Sequence, residues 1–289
     1  MTTVTSLNNY SFAFNGYVFG GSDSPHQITN VVGLEALPGI RNQDDNRGYF
    51  DGMFSGRDFL GGRTIVINVL TVGSSTASAQ ANYNSLQKAL QPQQQGTTPL
   101  QFQLSASGGL QFINARVRGN STTVDPEYTY GYIVSQITFF CPDPRYYDNS
   151  QLSATMGISA SPPGRTYPRV YPLTFGGGTQ TSTALVANAG WTTTYPTITV
   201  NGPVTNPIIG SVTTGQTLSF NYVMGASDVI VIDLLNRTIL LNGAPARNLL
   251  LGSSQWFAAG AGNSSFYFYG SGTTAGTTYA TVQWYNAYI

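Results

Sequence analysis

Arg63-Thr64-Ile65-Val66-Ile67-Asn68-Val69-Leu70-Thr71-Val72 is followed, three residues on, by Thr76-Ala77-Ser78-Ala79-Gln80-Ala81-Asn82-Tyr83-Asn84-Ser85-Leu86-Gln87-Lys88-Ala89-Leu90. The first run is short, β-branched and of period two, which argues a strand. The second is the one segment of the chain that reads as a helix. Its Ala79, Tyr83, Leu86 and Leu90 fall four, three and four apart and form a single apolar stripe. Ser74 or Ser75 can cap it, because a side-chain oxygen there accepts from first-turn amides that have no partner within the helix. Pro92 stops it. One amphipathic helix among strands predicts a lid across an open barrel or sheet edge, where it also covers edge hydrogen bonds.

Working outward, the texture stays β. Ser11–Gly20 carries aromatics around a Gly-marked turn, and Leu100–Leu104, Gly109–Arg118 and Tyr130–Phe140 are each long enough to cross a sheet. Cys141-Pro142-Asp143-Pro144-Arg145-Tyr146-Tyr147-Asp148 then reads as a double-proline turn, since each proline drives its predecessor out of helical backbone. It predicts a first domain over 1–145, with the helix at about 76–90, a linker over 146–165 and a second domain over 166–289. Ser161-Pro162-Pro163-Gly164, Tyr167–Phe175 and Gly176-Gly177-Gly178 open the second unit. Short strands follow at Thr197–Val200, Leu218–Tyr222, Val229–Asp233, Thr238–Leu241, Phe266–Tyr269 and Thr278–Trp284. Short strands regularly punctuated by Gly and Asn predict a β-sandwich. The fold class is therefore all-β with one helix: a β-barrel or sheet with a covering α-helix, then a sandwich.

Twelve Lys+Arg against twelve Asp+Glu in 289 residues give a net charge of +0, with only 8% of the chain charged against 41% hydrophobic. Net charge near zero favours association. A protein driven onto nucleic acid by phosphate neutralisation would carry a basic excess; here Arg41/Arg47 and Arg57/Arg63 are interleaved with Asp44, Asp45, Asp51 and Asp58, so no direct nucleic-acid binding is expected. The start lacks a basic region followed by an apolar core, and no apolar run reaches the roughly 18 residues of a membrane span. No signal peptide and no membrane span are expected. A single cysteine, Cys141, allows no intrachain disulfide and no multi-cysteine zinc site. Eleven of the twelve basic residues are Arg, which suits planar pairing at buried or interfacial positions. Only two Arg and two Asp lie between Pro172 and the end.

The residues that could carry chemistry read mostly as structure. His26 is the only histidine, so any Ser-His-Asp or Cys-His mechanism must run through it; in Ser24-Pro25-His26-Gln27 it reads as a surface or interface residue. Cys141 reads as a small buried hydrophobe. Asp44 and Asp45 share a polar loop with arginines that would pair them. Asp143 and Asp148 flank the turn as backbone acceptors. Asp228 and Asp233 bracket a strand and point to opposite faces. No catalytic residue, metal site or cofactor is predicted. Asn15-Gly16, Asn201-Gly202 and Asn242-Gly243 are hairpin dipeptides. Among the aromatics of the second domain, Trp256, Tyr267 and Tyr269 are the candidates for saccharide contact, with alternation in Phe266-Tyr267-Phe268-Tyr269 sending one pair inward.

Asn188-Ala189-Gly190 leads to Tyr195-Pro196-Thr197-Ile198-Thr199-Val200-Asn201-Gly202-Pro203-Val204-Thr205-Asn206-Pro207. Val229-Ile230-Val231-Ile232-Asp233, Asn242-Gly243, Ser254-Gln255-Trp256 and Gly260-Ala261-Gly262-Asn263 follow in order. With Phe139–Tyr147 at the boundary and one helix before it, this order resembles the distal tail proteins of long-tailed, siphovirus-type phages, whose second domain is galectin-like. The resemblance implies a non-enzymatic virion protein at the tail tip, made in the host cytoplasm. Its first domains would form a closed self-ring, six-fold in the family, joined to the tail tube protein and to tail-tip or baseplate proteins. Arg41, Asp44, Asp45, Arg47, Arg57 and Asp58 become the candidate inter-subunit contacts, since a ring needs a heterologous contact that closes by rotation. The alternative is a carbohydrate-binding module for a host-surface glycan.

Overall fold

The computed structural model describes residues 4–157, 182–271 and 277–289; the segments expected at Ser161–Gly164, Tyr167–Phe175 and Gly176–Gly178 lie outside them. Two compact units divide the chain, residues 1–149 and 150–288.

In the first unit, β1 (Ser11–Phe14) and β2 (Tyr17–Gly20) form a hairpin and β3 (His26–Val32) follows. Four two-residue strands come next: β4 (Ile40–Arg41), β5 (Asp45–Asn46), β6 (Met53–Phe54) and β7 (Phe59–Leu60). Then come β8 (Arg63–Val72), α1 (Thr76–Ala89), β9 (Thr98–Gln103), β10 (Gln111–Thr123), β11 (Tyr132–Cys141) and β12 (Tyr146–Asp148). The main sheet runs β2-β1-β9-β10-β11-β8-β3, with β12 on β10. The quoted strand pairs along its whole length with β11, from Arg63 opposite Cys141 to Val72 opposite Tyr132. Ile65, Ile67 and Val69 thereby share a buried layer with Ile133, Ile137 and Phe139. The sheet curls until its end strands touch: the Tyr17 hydroxyl on β2 lies 2.7 Å from His26 Nε2 on β3. Asn15 and Gly16 both take positive φ in the β1–β2 turn, as a two-residue turn matched to strand twist requires.

The helix is placed by the stripe that predicted it. Ala79, Tyr83, Leu86 and Leu90 are all buried, and Ser75 caps the helix by accepting from Ser78 N, with the Ser78 side chain returning the bond in a capping box. The Tyr83 hydroxyl meets Thr122 on β10, so the helix packs on the long β10–β11 hairpin.

Two expectations are corrected here. The segment 146–165, expected as a linker, begins with β12. Tyr146 packs edge-on against Phe102 and Tyr147 lies tilted over Phe112, and burying two aromatic rings outweighs the turn tendency of the prolines before them. Residues 152–157 are again strand, in the second unit. His26, expected at a surface, is fully buried. Its ring nitrogens lie 2.9 Å from Thr71 Oγ1 and 2.7 Å from Tyr17 Oη, and two hydroxyls can satisfy a neutral imidazole inside the fold.

The second unit is a two-sheet sandwich built from β13 (Leu152–Gly157), β14 (Thr183–Asn188), β15 (Thr197–Asn201), β16 (Val204–Ser211), β17 (Thr217–Ser219), β18 (Val223–Met224), β19 (Val229–Asp233), β20 (Thr238–Leu241), β21 (Ala244–Pro245), β22 (Gly262–Ser271) and β23 (Tyr279–Trp284). One sheet runs β13-β23-β15-β19-β20-β21. The other runs β14-β22-β16-β17 with β18 on β16. Ile198, Val200, Ile230 and Ile232 from the first meet Ile209, Leu218, Phe266 and Phe268 from the second in one core, the layer arrangement alternating strands produce. Asn242-Gly243 makes the β20–β21 hairpin with both residues at positive φ. Asn201-Gly202 makes none: β15 and β16 lie in different sheets, because Gly202 donates to Asp228 O and sits against Gly225 O, where a Cβ would collide.

Candidate functional site

Between β3 and β8 the chain leaves the barrel as an arm. Ile40 and Arg41 pair with Leu60 and Phe59; farther out, Asp45 and Asn46 pair with Phe54 and Met53. These two short ladders make a hairpin whose turn is closed by Arg47 N donating to Gly52 O. Gly52, at φ +97, takes a backbone that a side-chain-bearing residue rarely adopts. Asp44 shapes the arm by accepting from Gly56 N and from Asn42 Nδ2.

The arm has no core. Every residue from 39 to 58 is exposed, and the tip carries Tyr49 at 97% and Phe50 at 81% of full exposure, beside exposed Met53 and Phe54. Two-stranded hairpins are marginal by themselves in water, and a contiguous apolar patch of this kind marks an interaction surface.

All six predicted inter-subunit residues, Arg41, Asp44, Asp45, Arg47, Arg57 and Asp58, sit on this arm. The expected pairing of its acids with its arginines is absent: among the described residues the one salt bridge in the chain is Arg145 to Asp143. The arginines lie over aromatic rings instead, Arg41 and Arg57 over Phe59 at 5.6 and 5.5 Å and Arg47 over Phe54 at 5.1 Å. A planar guanidinium stacks on a ring while leaving its N–H groups to donate elsewhere. Two-residue ladders give the arm too little rigid backbone to hold opposed charges in register.

Sequence reasoning missed the aromatic tip. Its signal is Gly48-Tyr49-Phe50-Asp51-Gly52-Met53-Phe54, where bulky residues flanked by glycines show neither helical nor strand periodicity and so cannot belong to a core face. It also missed the role of Arg63, the first residue of β8, which is 2% exposed. Its Nε donates to Pro144 O at 3.0 Å. Its Nη1 donates to the carbonyls of Gly33 at 3.0 Å, Ala36 at 2.7 Å and Leu34, and its guanidinium lies 5.9 Å over the Tyr146 ring. Burial pushes its pKa down, and Tyr146 and Cys141 oppose that shift. One side chain thus ties both roots of the arm to the turn at which the first unit ends.

The other candidates resolve as structure. Cys141 is buried, and desolvation pushes its thiol up to about 12, which leaves it un-ionised and unreactive. Asp143 pairs with Arg145 and accepts from the Tyr147 hydroxyl. Asp228 accepts from Gly225 N and Asn242 Nδ2, which hold its pKa below the usual carboxylate value. Asp233 accepts from Leu235 N and Asn236 N. No group of three or more His, Cys, Asp or Glu among the described residues could hold a metal ion, and no helix there is long and apolar enough to cross a membrane.

The saccharide candidates are not brought together. Trp256 follows Gln255, whose N donates to Thr217 O on β17, so Trp256 lies beyond two intervening strands from β22, about 14 Å at ~4.8 Å per strand. Arg247 covers its ring at 5.7 Å. Tyr267 and Tyr269 do share the outward face of β22, while Phe266 and Phe268 are buried as the alternation predicted. Tyr267 lies over Gly210, where a Cβ would stand 2.5 Å from its ring.

Residues 189–288 match the family model of the siphovirus-type tail component, C-terminal domain. That match makes the second unit, though not the whole chain, similar to siphovirus-type tail components. The resemblance to distal tail proteins is borne out, and so is the all-β fold with one α-helix. A solved structure of the phage SPP1 Dit protein, described as a paradigm of the hub adsorption apparatus in phages infecting Gram-positive bacteria, aligns with a TM-score of 0.66 at 15% identity over 96% of this chain and 99% of that one. A chain of the phage P2 baseplate in its activated conformation with calcium aligns at 0.51 and 10% identity, over 94% and 97%. The strontium form aligns at 0.51 and 11%, over 96% and 98%. No curated protein matches the sequence significantly.

Proposed function

We infer that this protein is a siphovirus-type tail component and a non-enzymatic hub of the distal tail or baseplate. Its first units form a closed ring of six copies at the tail tip, continuing the tail tube on one side and carrying tip or baseplate proteins on the other. The observation that carries this reading is the arm: twenty consecutive exposed residues that include four large apolar side chains at the tip cannot hold their place by internal packing and need a covering surface. A second copy supplies one at no cost in specificity, because head-to-tail contacts close into rings, and a chain of net charge +0 has little long-range self-repulsion to overcome. Negative-stain images and native mass measurement of the purified protein test it. Rings with a central lumen are expected, and Tyr49→Ser with Phe50→Ser is expected to return monomers of unchanged melting temperature. A strictly monomeric wild type, alone and with its tail partners, would refute the ring.

A second reading, glycan contact by the sandwich, is favoured by one face. The four charged residues of the described second unit, Asp228, Asp233, Arg237 and Arg247, all lie outside the β14-β22-β16-β17 sheet. That sheet presents Tyr269 at 63% exposure next to the Tyr267 ring lying over Gly210. An uncharged, hydroxyl-bearing face with a flat ring suits a neutral sugar. Host-wall polysaccharide binding lost in Tyr269→Ala but kept in Trp256→Ala would support it; binding indifferent to Tyr269 would end it.

A further inference from the structure

We propose that the arm tip of one copy seats in a groove at the arm root of the next, with Phe50 and Tyr49 as the inserted side chains and Glu35 of the receiving copy pairing with Arg47 of the inserting one. This rests on the hub reading and names the surface that completes it.

The groove is a cavity of about 390 Å³ on the first unit, lined by Tyr10, Val31, Val32, Leu34, Glu35 and Leu104. Its volume lies within the roughly 300–1,000 Å³ of sites that enclose a sizeable ligand, which is room for two aromatic side chains. Tyr10 and Val32 present exposed apolar surface there, so an entering ring removes apolar area from water on both partners. Interface anchors are typically aromatic residues in such pockets.

A copy cannot fill its own groove. The tip is joined to the root by a hairpin held at Ile40–Leu60 and again at Asn46–Met53. From residue 36 to 49 an extended strand spans about 40 Å at roughly 3.3 Å per residue, and folding the tip back would break both ladders. The same reach carries it across to a neighbouring copy. Root and tip are different surfaces, so the contact is heterologous and each copy gives one arm and receives one.

Charge selects this groove over a second sizeable cavity on the first unit. That one, at the C-terminal end of α1, is lined by Leu90, Pro92, Val117 and Arg118 among others, and Arg118 would repel Arg47. The arm-root groove offers Glu35. At the tip Arg47 stacks on Phe54 with its guanidinium oriented by the ring, placing cation and aromatics side by side.

Cross-linking tests the assignment. Copies bearing Val32→Cys are mixed with copies bearing Phe50→Cys and treated with a short bis-maleimide; buried Cys141 does not compete. Dimers are expected from the mixture and not from either variant alone, and the double variant should give a ladder of multimers. In parallel, Glu35→Arg and Arg47→Glu should each raise the concentration for half-assembly about tenfold or more, and the double charge swap should bring it back to within about threefold of wild type. Rings that form normally but give no Val32–Phe50 product, or no recovery in the swap, overturn the groove and leave the hub standing. Absence of any ring in the wild type overturns both.

Discussion

Replacing Arg63 by Met keeps an unbranched apolar stem and removes the charge and all the donors of the side chain. Four carbonyls, of Pro144, Gly33, Leu34 and Ala36, then lose their partner. Hydrogen bonds to a charged donor contribute roughly 1.5–3 kcal/mol each, but these are not additive, and a guanidinium buried without a carboxylate costs several kcal/mol in desolvation that the variant recovers. Each neutral carbonyl left buried without a partner costs about 1–3 kcal/mol. Because the bonds to the Gly33 and Ala36 carbonyls are only part-buried, those two can regain water, and about 3 kcal/mol is the expected loss. At about 2–4 °C per kcal/mol for a domain of this size, the first unit should melt about 10 °C lower. The assay carries its own control. Trp191, Trp256 and Trp284 are the three tryptophans of the chain and all lie in the second unit, so tryptophan fluorescence follows that unit while circular dichroism follows both. The early dichroism transition should fall with the fluorescence midpoint unchanged, and tryptic cleavage after Arg41, Arg47 and Arg57 should accelerate as the arm roots loosen. Arg63→Lys, a point charge without the planar fork, should fall between the two. If Arg63→Met melts within 2 °C of wild type, taking about 1 kcal/mol per 2–4 °C, and is cleaved at the same rate, the clamp is wrong.

His26 makes the first unit acid-sensitive. Burial lowers its pKa to about 4 from the ordinary 6.5. Above pH 6.5 both states are neutral, and as pH falls toward 4 only the unfolded chain takes up the proton, so stability is lost across that window by up to about 3 kcal/mol. Urea midpoints of wild type and His26→Gln should converge between pH 7.5 and 4.5; parallel curves would exclude a buried neutral imidazole. Ser75→Ala removes the half of the capping box on α1 in which Ser75 Oγ accepts from Ser78 N and should cost about 1 kcal/mol in denaturant unfolding, whereas no loss would place the cap elsewhere. Gly210→Ala puts a methyl group into the Tyr267 ring and should destabilise the second unit by about 1–3 kcal/mol, read by tryptophan fluorescence. Combining it with Tyr267→Ala should recover most of that loss, and a double variant no better than the single one would show that the ring is not what Gly210 accommodates.

Features that rest on neighbours along the chain could be read directly from the residues. The strand Arg63–Val72 and the helix from Thr76 appear at the residues their periodicities indicated, because side-chain direction repeats every two residues in one and every 3.6 in the other. Asn15-Gly16 and Asn242-Gly243 form hairpins, since the backbone they need is local. The uneven charge, gathered on the arm and sparse in the sandwich, was equally legible. The tertiary structure alone decided the matters that depend on what lies across space. Asn201-Gly202, by its dipeptide a hairpin, instead carries the chain from one sheet to the other. His26 looked superficial beside Ser24 and Pro25, yet two hydroxyls, from Tyr17 and from Thr71 forty-five residues away, make its burial favourable. Arg63 belonged to a string of alternating charges until four carbonyls far from it in sequence became its partners. Opposed charges on the arm looked self-compensating, but short ladders cannot hold them together and aromatic rings claimed the guanidinium groups. Local patterns fix the direction in which a side chain points; the partner it meets there is set by packing, and in this protein packing left the arm uncovered.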